Sequence, residues 1–267
     1  MASLLVVAAA LWLVAAQRVR AARGPAAVSW RRSALFLAGL GTIAVALEGP
    51  VDAGAATRFS VHMLQHLLLA LLAAPLLVLA RPLTLALQAS APATRRRLVR
   101  LLHGRPLAVL GSPTVAWCGF ALVMWATHFS PLYQAALADP GLHALEHLAY
   151  LGSAMLFWSA VAAVEPSPAR LSPPARILYL FLAMPQMTFL GLAIYSARHV
   201  LYPFYGVGPA ALADQRLAGA LMGGSGVLVV VPAAGALLLD WWAREERAAA
   251  RADARLDRAL GLGGDPS

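Results

Sequence analysis

Lysine is absent from this 267-residue sequence, cysteine occurs once, and charged residues make up only 12%. Each shortage excludes something. With Cys118 alone, neither an intrachain disulfide nor a cysteine-built zinc cluster can form within one chain. With so few charges against 60% hydrophobic residues, a soluble globular domain would expose large apolar patches, so lipid must be the solvent for most of the surface. The formal net charge of +9 rests on arginine alone. Whether it serves nucleic acid, anionic lipid or membrane orientation depends on where the arginines fall.

A bilayer-spanning helix needs about 20 apolar residues, and seven segments approach that length: 2–17, 33–47, 60–80, 107–128, 143–164, 175–196 and 217–242. The expected fold is therefore all-α, a polytopic integral membrane helix bundle of about seven transmembrane helices in the lipid bilayer. It divides into a transmembrane domain, 1–243, and a charged cytoplasmic tail, 244–267, helical at first and flexible over 261–267. In the first segment the positive charges (Arg18, Arg20, Arg23) follow the apolar run instead of preceding it, which favours a retained helix over a cleaved signal peptide. Arginine placement supports the count. The connections after segments one, three and five and the tail hold 18 of 21, leaving only Arg58, Arg198 and Arg216 for the other face. Cytoplasmic loops collect arginine, so the N-terminus is expected outside and the C-terminus inside, with no nucleic-acid partner. Phe59, Trp125, Phe129, Tyr133, Tyr195 and Tyr202 near the outer face and Trp30, Trp241 and Trp242 near the inner read as interfacial anchors. Pro75, Pro113, Pro185 and Pro232 are expected inside helices. Gly219 and Gly223 have the spacing of a close helix contact.

Six of the seven histidines fall on the outer face of this topology: His62, His66, His128, His143, His147 and His199. His103 sits among inner-face arginines and reads as a solvated loop residue. His62 with His66, and His143 with His147, are spaced i, i+4, so each pair shares one helix face and can chelate. With His128 they form a candidate cup of imidazoles in the outer third of the membrane. Gln65 and Glu146 are candidate acceptors for ring N–H groups. A single interfacial histidine is ordinarily an anchor or an interhelical hydrogen-bond partner; six on one face, in two chelating pairs, point to a metal or cofactor site. His199, in a loop beside Arg198, and the thioethers Met63 and Met124 are weaker candidates. Imidazole with thioether suits copper as Cu(I) better than Mg or Ca, while zinc and haem stay open. Cys118 lies about 15 Å below His128 along the helix, too deep for the same site. Gln186 reads as an interhelical hydrogen-bond partner.

These runs resemble the CtaG-type assembly factors of caa3 cytochrome c oxidase, a family of multi-helix bacterial membrane proteins. The matching stretches are SVHMLQHLLL from Ser60, PLLVLARP from Pro75, HFSPLY from His128, LHALEH from Leu142, the pair Phe157 and Trp158, PQM from Pro185, LYPFY from Leu201, and DQR from Asp214 on to Gly219 and Met222. The sequence departs from the family where Gly223 replaces an expected tryptophan. The resemblance implies a non-enzymatic role in oxidase maturation in the bacterial plasma (inner) membrane: copper taken up at the outer-face histidines and passed by ligand exchange to cytochrome c oxidase subunits, directly or with a copper chaperone. Two other classes remain open. A zinc-dependent membrane hydrolase would need an open coordination position and a general acid or base such as Glu146 or Asp139. A copper transporter would need ligands continuing across the membrane, where only Cys118, Met155, Met184, Met187 and Gln186 are found.

Overall fold

The computed structural model describes residues 1–164 and 171–259, and every regular element among them is helical. In chain order these are α1 (Ala2–Arg23), α2 (Trp30–Leu47), α3 (Pro50–Ala55), α4 (Phe59–Leu67), α5 (Ala74–Ala80), α6 (Pro82–Ala89), α7 (Pro92–Leu102), α8 (Arg105–Leu110), α9 (Pro113–His128), α10 (Pro131–Ala138), α11 (Pro140–Ala162), α12 (Pro173–Ser196) and α13 (Pro209–Ala259). Helices α3, α6, α7 and α9 through α13 all begin on proline, whose fixed φ suits a first turn and whose missing N–H would have had no helical partner there.

Each expected segment coincides with a helix. By length and composition, five stretches are able to cross a membrane: Ala2–Arg23, Trp30–Ala55, Phe59–Ala89, Pro173–Ser196 and Pro209–Leu256, or six if α9 and α10 are joined. These mark a membrane protein. The fifth expected segment is α11, long enough at 23 residues but made less apolar by His143, Glu146 and His147. The fourth differs from expectation. Ser112 is extended (φ −67°, ψ 138°), so the helix starts at Pro113 and not at Leu107; the residue before a proline is kept out of the helical region by clash with the ring. Pro113 is thus a helix start and not an interior proline. At 16 residues α9 is about 24 Å long, and the chain then turns through 71° into α10. The connection between the fourth and fifth expected segments is therefore a helix folded back over the bundle end.

The third segment is continuous in path but not in register. Leu68–Ala73 is wound as a π-helix, with the Ala74 N–H bonded to the Leu69 carbonyl. In that register the next donor would be residue 75, which is proline, so the Ala70 carbonyl is left open. The Trp158 indole N–H of α11 donates to it at 3.0 Å, both groups buried. On the other side, α12 and α13 meet backbone to backbone. A Cβ on Gly191 would lie 2.4 Å from the Gly223 nitrogen, and one on Gly219 2.7 Å from the Gly191 carbonyl oxygen. The expected pair is found at the contact, with Gly191 as its partner.

At the end of the bundle away from the histidines, Arg32 of α2 donates to the carbonyls of Ala80 (3.0 Å) and Arg81 (3.1 Å) where α5 ends, and Arg176 of α12 donates to Val161 (2.5 Å) where α11 ends. Arginine at helix C-termini satisfies orphan carbonyls and opposes the helix dipole. Helix α13 runs unbroken through 244, so the expected tail continues the last helix to 259. The flexible segment expected over 261–267 lies outside the described residues.

Candidate metal centre

Three helix ends meet at the other end of the bundle: the start of α4, the end of α9 and the start of α11. On α4, His62 and His66 are 1% and 2% exposed; on α11, His147 is buried and His143 half-buried. One ring nitrogen from each of these four lies within 4.8 Å of the others. The rings are 4.4 Å apart within the α4 pair, 4.3 Å within the α11 pair, and 5.0 Å (His62 to His143) and 5.4 Å (His66 to His147) across the helices. The two pairs expected from i, i+4 spacing do converge.

The ring nitrogens are unevenly partnered. His62 Nε2 lies 2.9 Å from His66 Nε2, so the inner nitrogens of this pair point at one another. Buried and without a partner are His66 Nδ1, His143 Nε2, His147 Nε2 and His128 Nε2. Buried polar atoms are nearly always satisfied, so four such nitrogens on neighbouring rings form a donor set suited to a cation. Four imidazoles with metal–nitrogen bonds of 2.0–2.1 Å would stand about 3.4 Å apart in a closed tetrahedron. Here the His62 and His66 Nε2 atoms are closer, at 2.9 Å, and the whole set falls within 4.8 Å.

His128 approaches from α9, its ring 6.4 Å from that of His66 and 3% exposed. Its Nδ1 is 2.7 Å from the Met124 carbonyl oxygen and 3.1 Å from the Tyr150 hydroxyl. A carbonyl only accepts, so Nδ1 carries the proton and the unpartnered Nε2 presents its lone pair. His128 thus stands beside the four with one ring nitrogen unprotonated and without a partner.

The other candidates are not part of this nitrogen set. Met63 and Met124 are buried in the hydrophobic core among Phe120, Tyr133 and Tyr150. His199 is exposed, and its backbone carbonyl accepts from Gln215 Nε2 at 3.3 Å. Gln65 does not meet a histidine ring: its amide nitrogen donates to the Ala46 carbonyl (2.7 Å) and Asp52 Oδ1 (3.1 Å), tying α4 to α2 and α3. Neither carboxylate oxygen of Glu146 has a hydrogen-bond partner, so it takes no ring N–H either.

The rings are oriented instead by tyrosines that the sequence does not announce. Tyr205 Oη is 2.6 Å from His62 Nδ1, Tyr150 stacks on His66 at 4.1 Å, and Tyr202 donates to the His128 carbonyl at 2.9 Å. Phe59, Tyr133 and Tyr202, expected as interfacial anchors, are 2%, 1% and 4% exposed and pack on one another over the centre. They are buried because α10 and the 203–205 turn fold over the bundle end. Gln215 holds that covering segment, accepting from Leu201 N–H (2.7 Å) and donating to Ile194 and His199 carbonyls. Asp214 beside it accepts from the backbone N–H (3.2 Å) and hydroxyl of Ser60, capping from α13 the start of α4, which has no side-chain cap of its own. Gln186 accepts from the Trp125 indole at 3.1 Å, an interhelical bond as expected.

Residues 10–244 match the family model described as cytochrome c oxidase caa3 assembly factor. The chain is also 30% identical over 238 residues to an uncharacterized protein of Mycobacterium bovis and to one of Mycobacterium tuberculosis, 83% of this chain and 36% of each relative. A protein of Mycobacterium leprae, likewise described as uncharacterized, is 30% identical over 215 residues, 74% of this chain and 32% of the relative. The chain thus spans about a third of the length of these relatives. No solved structure matches it at a significant level.

Proposed function

Because the chain belongs to the cytochrome c oxidase caa3 assembly factor family, we propose that it receives a copper ion at His62, His66, His143 and His147 and passes it to a copper centre of the oxidase during assembly. The observation that carries this reading is the convergence of four imidazole nitrogens within 4.8 Å at one bundle end. The donor set is neutral and nitrogen-only, which suits copper or zinc and not Mg or Ca; the family membership supports copper, the metal an oxidase must acquire. The cross-helix separations of 5.0 and 5.4 Å between ring centroids are close to what imidazoles gathered around one ion would have. His128, with its bare Nε2 beside the four, is the ligand to which the ion first moves when a partner draws it out by ligand exchange. That partner is an oxidase subunit or a copper chaperone, met at the outer face of the bacterial plasma membrane.

The test is metal analysis of the purified protein after exposure to Cu(I). Wild type binds copper. His66→Ala with His147→Ala leaves one imidazole on each helix, destroys chelation and should lose the bound ion while the protein still inserts. His103→Ala should bind as wild type. Full copper stoichiometry in the double variant would overturn the assignment.

A further inference from the structure

Glu146 is a chemically active side chain at this end of the bundle to which the proposed function gives no task. It lies on α11 between His143 and His147, 7% exposed, with both carboxylate oxygens enclosed and unpartnered. A buried carboxyl group without a hydrogen bond is costly in any protein, and in a membrane it is retained for function. Its direction is fixed by its neighbours. Tyr150 follows it by one helical turn and so shares its face, and the Tyr150 hydroxyl reaches His128 Nδ1 and Thr127 Oγ1. Glu146 and Thr127 line one cavity of about 180 Å³, with Leu132 and Ala136 of α10 forming the apolar wall. The carboxyl group therefore sits in the angle between α9, α10 and α11, on the side of the four imidazoles from which His128 approaches.

Four neutral imidazoles bring no negative charge, and a cation in their midst would stand uncompensated in a low-dielectric surrounding. The other acids near this end are engaged or exposed: Asp214 on Ser60, Glu48 on the Met1 amino group, Asp139 exposed and capping α11 at Leu142 N–H, and Asp52, exposed and bonded to Gln65 though within electrostatic reach of His143. We propose that Glu146 supplies the counter-charge for the bound cation, from the His128 side of the centre. One carboxylate with four imidazoles balances a monovalent ion fully and a divalent ion by half.

The inference rests on the copper reading above, and the experiment separates the two. Cu(I) affinity is measured on the detergent-purified full chain by competition with a chromophoric Cu(I) chelator, for wild type, Glu146→Gln, Glu146→Asp and Asp139→Asn. Glutamine keeps the size and removes the charge, so Glu146→Gln should bind at least about tenfold more weakly. Aspartate keeps the charge and should recover most of the affinity, while Asp139→Asn, neutral but still a competent cap, should bind as wild type. Wild type that binds no copper overturns the function itself. Wild type that binds, with Glu146→Gln equal to it, overturns the counter-charge alone.

Discussion

Tyr205 reaches His62 from 143 positions away in the chain, and no spacing rule announces such a pair. The histidine pairs were legible because i, i+4 spacing is a property of the helix itself. The groups that orient them were not, because Tyr205, Tyr202 and Asp214 arrive from the C-terminal third of the chain. Phe59 and Tyr133 look like membrane-surface aromatics in sequence and become core only because α10 folds back. Even so, the start of α10 carries local signals: Ser130 accepts from Leu132 N–H and Pro131 follows it, the pattern of an N-cap with proline at the first helical position. On the proposed copper reading, His62 would ligate through Nε2 while its Nδ1–H donates to the Tyr205 hydroxyl, which would fix ring orientation and basicity. Tyr205→Phe removes that acceptor and keeps the ring, so copper affinity measured by chelator competition should fall about 10- to 100-fold. Unchanged affinity would reduce Tyr205 to a packing residue.

Among the helices, the contact of α12 with α13 is the least tolerant of added volume. Alanine at 191 would press its methyl into the α13 backbone, 2.4 Å from the Gly223 nitrogen, whereas a Cβ at Gly223 would meet the Thr188 carbonyl oxygen at 3.8 Å, an ordinary contact. Gly191→Ala should therefore destabilise the bundle by about 1–3 kcal/mol or more, as overpacking does, while Gly223→Ala stays near wild type. The comparison is read as thermal unfolding in detergent, and equal shifts would refute the asymmetry. It also bears on the departure at Gly223, which packs beside Thr188 and Gly191 of α12. Sequence alone identified Gly219 and Gly223 by spacing but not Gly191, whose role depends on which helix lies opposite. The break before Pro113 was readable in principle from Gly111, Ser112 and Pro113, and was masked by the apolar residues on both sides.

For the whole molecule, the arginine asymmetry is the ground for expecting the histidine end outside. Reporters fused after Gly141 and after Ala252 should accordingly report outside and inside, and both on one side would sink the orientation. The same end is assembled from parts that the ribosome delivers at very different times. His62 and His66 leave it first, His143 and His147 follow after α9 and α10, and the tyrosine at 205 and the aspartate at 214 come with the closing stretch of chain. Segments made early can insert and pair before later ones exist, yet none of them alone brings four ring nitrogens together. On the copper reading, a chain made only as far as α10 offers an ion one chelating pair, and α11 brings the second. Tyr205 and Asp214, which hold the finished centre, arrive last, so copper uptake would follow synthesis of the bundle instead of preceding it.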